Sequence, residues 1–200
     1  MPSPRSELLR GREVRSFATT LEARDDGGLQ FILSGYASVV EVPYDMGAYT
    51  ETIRAGAFRK TLSERPDVQL LVNHQNMPIG RTTIPWGQPG SLQLTEDSQG
   101  LHVLAQLDRN DPDAQTVMRK VGTGLMDQMS FGFTVTRQSW SDDRSKRFIE
   151  EVNLNRGDVS VVNLGASPTT SVVARAAGRQ RPNRAYYEAV ATALKLKSGR

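Results

Sequence analysis

Met129-Ser130-Phe131-Gly132-Phe133 heads a run from Asp127 to Trp140, and the reading of that run decides how the rest of the chain is placed. Taken with period two, Met129, Phe131, Phe133 and Val135 share one face, and Ser130, Gly132, Thr134 and Thr136 the other. The first face suits a core. The second presents a hydroxyl beside Gly132, a position without a side chain, where another backbone can lie close to it. An ordinary half-buried strand with a solvent-facing serine has the same pattern, so the stretch needs the rest of the chain to give it meaning.

Downstream, a charged loop at Ser141 to Lys146 makes this strand one arm of a hairpin, with a return strand from Arg147 to Asn155. A last, very apolar strand runs from Asp158 to Leu164. Upstream, Asp111 and Pro112 mark the N-cap and first position of a helix that ends by Gly122 or Gly124. Before it come two strands, Ser91 to Thr95 and Leu101 to Leu107. Further back, Val68 to His74 reads as a strand whose apolar row Val68, Leu70, Val72 is continued by His74. Met77-Pro78-Ile79-Gly80 then turns the chain, Arg81 to Trp86 runs back out, and Gly87 to Gly90 turns it again. A short helix covers Phe58 to Glu64 and stops at Pro66. Near the N-terminus a strand begins at Ser16, breaks at Asp25-Asp26-Gly27-Gly28 and resumes from Leu29 to Val40.

This count, about eight to ten strands at hairpin spacing and two helices, predicts a mostly β (α+β) fold, an antiparallel barrel with peripheral helices. It divides the chain into a flexible arm at 1–15, a barrel domain at 16–174, and a basic linker with an amphipathic helix at 175–200. In the last segment Tyr187, Val190, Ala191 and Leu194 recur at helical spacing between Asn183 and Leu196.

Composition narrows the chemistry. The 200 residues contain no cysteine, which removes a disulfide framework, a thiol nucleophile and thiolate metal sites. No apolar run approaches the ~20 residues that span a bilayer, so no membrane association is expected. The net charge of +3 is uneven: residues 175–200 hold seven Lys/Arg and one acid, a net of +6, which leaves −3 on residues 1–174. A basic tail of that kind docks on acidic partners or stays solvated. Nothing in the chain has the aromatic-interleaved basic pattern of a nucleic-acid binder.

A serine nucleophile needs a base of near-neutral pKa and a group that orients the base. The chain has two histidines, so the choice of base is small. His102 lies opposite the Leu101, Val103, Ala105, Leu107 face, which reads as an outward or rim position. His74 ends an apolar row among Asn73, Gln75 and Asn76, and is either a base or a satisfied structural histidine. For the acid, Asp158 opens an apolar strand directly after Gly157, as a turn cap or as the partner of something buried. Glu150 and Glu151 are competing carboxylates on opposite faces of their strand. Two isolated histidines make no metal-ligand cluster, and Gly122-Thr123-Gly124 lacks the spacing and lysine of a phosphate loop. No metal or cofactor is expected.

Taken in order, Arg54-Ala55-Gly56-Ala57-Phe58, Leu70-Leu71-Val72-Asn73-His74, Pro78-Ile79-Gly80-Arg81, Gly100-Leu101-His102-Val103, Met129-Ser130-Phe131-Gly132-Phe133 and Asp158-Val159-Ser160-Val161-Val162 resemble the phage prohead (capsid maturation) proteases of the HK97 type. The resemblance runs from about Gly35 to Val173. It implies a fold similar to the herpesvirus assembly proteases, with Ser130 as nucleophile, His74 as base and Asp158 as the orienting acid. That last position usually holds glutamate in such proteases. Asp127-Gln128 replaces small residues that often precede Met-Ser, and Gly165 stands where proline is common. A carboxylate on His74 is expected to raise the histidine's pKa. Oxyanion donors are either backbone N–H groups near Phe131-Gly132 or an arginine. The implied partners are the major capsid protein, its scaffolding segment, and the protease itself through autoprocessing in an oligomer. The implied place of action is the procapsid in the host cytoplasm. Two other readings stand beside this one: a non-catalytic capsid assembly or scaffold protein of the same fold, and a nucleic-acid-binding barrel with a basic tail.

Overall fold

Runs that alternate apolar and polar residues form strands because each strand can then bury one face, and the described residues form eleven strands. The structure is a computed structural model that describes residues 11–19, 21–25, 27–84 and 90–163. In chain order the elements are β1 (Arg12–Ala18), β2 (Glu22–Asp25), β3 (Gln30–Val39), β4 (Tyr44–Asp45), β5 (Thr50–Ile53), α1 (Arg59–Ser63), β6 (Gln69–Val72), β7 (Gln75–Arg81), β8 (Leu92–Glu96), β9 (Gly100–Asp108), α2 (Pro112–Gly122), β10 (Gln128–Trp140) and β11 (Lys146–Val162). Asp111 caps α2 by accepting from the N–H groups of Asp113 and Ala114, with Pro112 in the first turn, as its sequence requires.

The strands make two sheets. One has seven strands in the order β1-β10-β11-β5-β4, with β6 and β7 joined through β11; the other has four in the order β2-β3-β9-β8. They enclose one core, to which the first contributes Phe17, Phe131 and Phe133 and the second Leu33, Leu101 and Leu107. Phe131 is its centre, 4.5 Å from the Phe133 ring and 5.6 Å from that of Phe58. The expected antiparallel barrel is therefore corrected to two open sheets, with no closed barrel among the described residues. The reason is β11. Its first half pairs in parallel with β5 and its second half in parallel with β6, so strands branch from it and do not close a ring.

Three local expectations also change. The first strand begins at Arg12 and not at Ser16, inside the segment read as a flexible arm. Scattered charges there form cross-strand pairs: Arg15 Nε donates to Glu51 Oε1 at 2.6 Å, and Arg147 donates to Glu13 and Glu51 at 2.7 Å each. Glu51 is fully buried and also accepts from the Tyr44 hydroxyl at 2.6 Å. Buried charges persist only when paired in this way, and the network fixes β1 as an integral strand. Second, the chain turns at Asn73-His74 and not at Met77 to Gly80, which lie within β7. Third, the strands expected at 147–155 and 158–164 are one strand with a bulge, the partner of β10 jumping from Asp158 to Asn153 between Gly132 and Thr134. The amphipathic helix at 183–196 and the turn residues 87–89 lie outside the described residues.

Candidate active site

Three strands bring distant residues onto one face. β10 pairs antiparallel with β11 in a register that sets Ser130 opposite Ser160 and Gly132 opposite Asp158. Ser130 and Asp158 thus sit one face-repeat apart on neighbouring strands. On its other side β11 runs parallel to β6, with Val161 opposite Val72, so the turn after Val72 emerges at the end of β11.

That turn consists of Asn73 and His74, with φ of 50° and 57°. Two successive positive φ values are the mark of the tight two-residue hairpin turn whose twist matches that of its strands. Asparagine accepts this conformation readily; a histidine in it is uncommon. Backbone anchors hold the turn against β11. Asn73 N–H donates to the Val161 carbonyl at 3.0 Å, and His74 N–H donates to Ser160 Oγ at 3.2 Å. His74 therefore leaves the Val68, Leu70, Val72 row it was expected to continue, and its ring comes back over the Ser130 face.

The geometry is that of a proton relay. His74 Nε2 lies 2.6 Å from Ser130 Oγ, and His74 Nδ1 lies 2.6 Å from Asp158 Oδ2. Ser160 Oγ donates to the same Asp158 oxygen at 2.7 Å. With Nδ1–H donated to Asp158, Nε2 is left to accept the Ser130 proton. The structure thus brings together all three residues singled out by sequence, Ser130, His74 and Asp158. Ser130 is fully buried and not solvent-facing, and its hydroxyl has a second acceptor in the Arg15 carbonyl, 2.9 Å away.

The remaining candidates lie elsewhere. His102 is buried on β9, Nε2 3.0 Å from Ser34 Oγ, which corrects the outward position expected for it. Glu150 pairs with Arg137 and Ser139, and Glu151 with Lys60 and Thr136, on the sheet surface. Backbone N–H groups at Phe131 and Gly132 belong to a strand paired on both sides, by β1 and β11. Among the described residues no group of three or more His, Cys, Asp or Glu side chains is placed to hold a metal ion.

Sequence reasoning missed Arg12. Its guanidinium forms an ion pair with Asp158 Oδ1. The path runs across Gly132, where a Cβ would collide with that guanidinium. The empty position beside Ser130 therefore admits a side chain, not the backbone expected there. Glycine at 132 was the available signal, but its partner lies 120 residues away in sequence. Burial pushes the His74 imidazole below its ordinary pKa, and the Arg12 charge lowers it further. The net direction is opposite to the rise expected from the Asp158 carboxylate alone.

Next to Asn73 lies a cavity of about 450 Å³, with Val72, Ile79, Val117 and Met126 on its apolar side, Asp113 and Lys120 among its polar lining, and Met77 and Leu125 flanking it. Those last two side chains are 73% and 68% exposed, high for large apolar groups.

Among known proteins, the prohead protease of Enterobacteria phage HK97 is 27% identical over 150 residues, which cover 74% of this chain and 61% of that protein. The chain thus matches about three-fifths of its relative's length. The solved capsid assembly protease gp21 of bacteriophage T4 aligns with a TM-score of 0.48 and 9% identity, over 75% of this chain and 96% of that one. The family model for caudovirus prohead serine proteases matches residues 19–183, a span that takes in His74, Ser130 and Asp158. On that match the chain belongs to the caudovirus prohead serine protease family.

Proposed function

We propose that the chain is a serine endopeptidase that cleaves the scaffolding segment of a phage major capsid protein, and itself, within the assembling procapsid in the host cell. The observation that carries this reading is the continuous Ser130–His74–Asp158 relay, each link 2.6 Å long. His74 Nε2 takes the Ser130 proton as Oγ attacks the scissile carbonyl carbon, and Asp158 stabilises the imidazolium so formed. The imidazolium gives its proton to the departing amine, and water then releases the acyl group from Ser130 by the same relay in reverse. Ser130 has no exposed surface, so a substrate carbonyl reaches Oγ only once the serine is uncovered. The test is co-expression with the capsid protein and intact-mass measurement of both chains; two unchanged masses would exclude the assignment.

In this reading Asp158→Asn binds substrate nearly as well but turns over up to ~10⁴-fold more slowly, as loss of a triad acid does elsewhere. Glu150→Gln and Glu151→Gln should cleave at the wild-type rate, since both carboxylates are engaged with surface cations and hydroxyls. Asp158→Glu should keep partial activity. The reverse pattern in a peptide-cleavage assay would reassign the acid.

The cavity next to Asn73 receives an apolar side chain of the extended substrate near the scissile bond. Val72, Ile79, Val117 and Met126 give it an apolar wall for such a group, beside the polar Asp113 and Lys120, and it adjoins the relay through Asn73. Leu125→Asp, an exposed-site change with little folding cost, should raise KM for a peptide carrying leucine there by roughly tenfold, or about 1.4 kcal/mol, and leave kcat within about twofold. An unchanged KM would place the subsite elsewhere.

A further inference from the structure

Alternate residues of β1 have opposite tasks. Glu13, Arg15 and Phe17 face inward, where Glu13 and Arg15 join the buried network with Glu51 and Arg147 and Phe17 joins the core. Arg12, Val14 and Ser16 therefore share the face that carries Ser130, with Ser16 opposite Ser130 and Val14 opposite Gly132. Arg12 pairs with Thr134, and its side chain runs diagonally over Gly132 to the carboxylate on the next strand. The three nearest atoms to a Cβ at 132 would all belong to the Arg12 guanidinium.

Asp158 is 2% exposed and divides its two oxygens. Oδ1 meets Arg12, while Oδ2 meets His74 Nδ1 and Ser160 Oγ. A buried carboxylate with no cation would satisfy itself by drawing a proton onto the adjacent imidazole, giving an ion pair. The imidazolium cannot accept a proton from serine. Ser130 would tolerate that state, since its hydroxyl can donate to the Arg15 carbonyl at 2.9 Å. The balance therefore turns on charge. Among the described residues, the charged groups facing His74 are Asp158 from β11 and Arg12 from β1, with Ser130 and Ser160 as polar neighbours.

We propose that Arg12 is a positioning residue for the relay: reaching Asp158 through the space at Gly132, it clamps the carboxylate and offsets its charge, so that His74 rests as a proton acceptor. This rests on the serine protease reading for its consequence, but not for its test. Arg12 holds Asp158, the group its guanidinium pairs with, and adds its charge near His74. It also precedes residues 19–183, the span matched by the family model.

The experiment is a pH titration of the ¹⁵N-labelled imidazoles in the full chain by NMR. With only two histidines, His102 is an internal control. In Arg12→Met the His74 midpoint should move to higher pH while that of His102 stays in place. Gly132→Ala keeps the arginine but blocks its path and should give the same shift; the double variant should add nothing further, because both changes break one contact. Arg12→Lys should recover most of the wild-type midpoint. Labelling of Ser130 by a fluorophosphonate should follow, with its acid limb moved to higher pH and the rate on that limb down about tenfold. A His74 midpoint unmoved in both single variants, with His102 showing an intact fold, would overturn the proposal. So would a lower plateau with the limb in place, which would mark Arg12 as merely structural. A moved midpoint in a chain that neither labels nor cleaves would leave Arg12's role standing and remove the protease reading instead.

Discussion

Ser130→Ala is expected to leave a folded chain that cleaves neither the capsid protein nor itself. The change removes one hydroxyl from a fully buried site and leaves the Arg15 carbonyl and His74 Nε2 without that donor. Losing such bonds costs about 1–3 kcal/mol of stability, which a domain with one continuous core sustains. The chemical loss is far greater. With no Oγ there is no acyl intermediate, and removal of a serine nucleophile costs on the order of 10⁶ in rate, leaving only what binding and polar stabilisation supply. Intact-mass spectra of the variant co-expressed with the capsid protein should show both chains at full length. Processing at the wild-type rate would remove Ser130 from the mechanism.

His74→Ala should be as severe, and His102→Gln should not. His74 Nε2 is within hydrogen-bonding reach of Ser130, whereas His102 is buried in the other sheet against Ser34, with its ring 5.1 Å from that of Tyr36. Replacing His102 therefore perturbs packing, at a cost of about 1–2 kcal/mol in stability, without touching the relay. The pH profile sharpens the contrast. His74 works as a base only when neutral, so the rate falls as pH drops through its pKa. Burial first, and Arg12 second, depress that pKa, so the acid limb should lie below the range of an ordinary exposed histidine. Equal damage from both histidine variants, measured as kcat/KM on a peptide at the pH plateau, would point to two histidines acting together and overturn this assignment.

Access to the serine is part of the chemistry proposed for this site. The serine is buried while the His74 side chain keeps 25% of its surface exposed. In the proposed reading, approach past the His74 turn, next to the cavity that Val72 and Met126 help to line, fits that difference.

Much of this molecule is legible residue by residue. Period-two alternation marked β10 and β9, Asp111-Pro112 marked the start of α2, and the Asp-Gly break before β3 marked a hairpin, because each signal is local to a few neighbouring residues. Ser130, His74 and Asp158 were singled out through ordered segments that resemble a family, not through any pattern that places them in contact. Other features depended on partners far along the chain. Glu13 and Arg15 read as arm charges until Glu51 and Arg147 came opposite them, and His74 read as a strand residue until the pairing of β6 with β7 made it a turn. Gly132 announced a space but not its occupant. Which side chain filled it was decided only when β1, β10 and β11 were set side by side, since contact between Arg12 and Asp158 depends on the register of three strands and on no property of either residue's own neighbourhood.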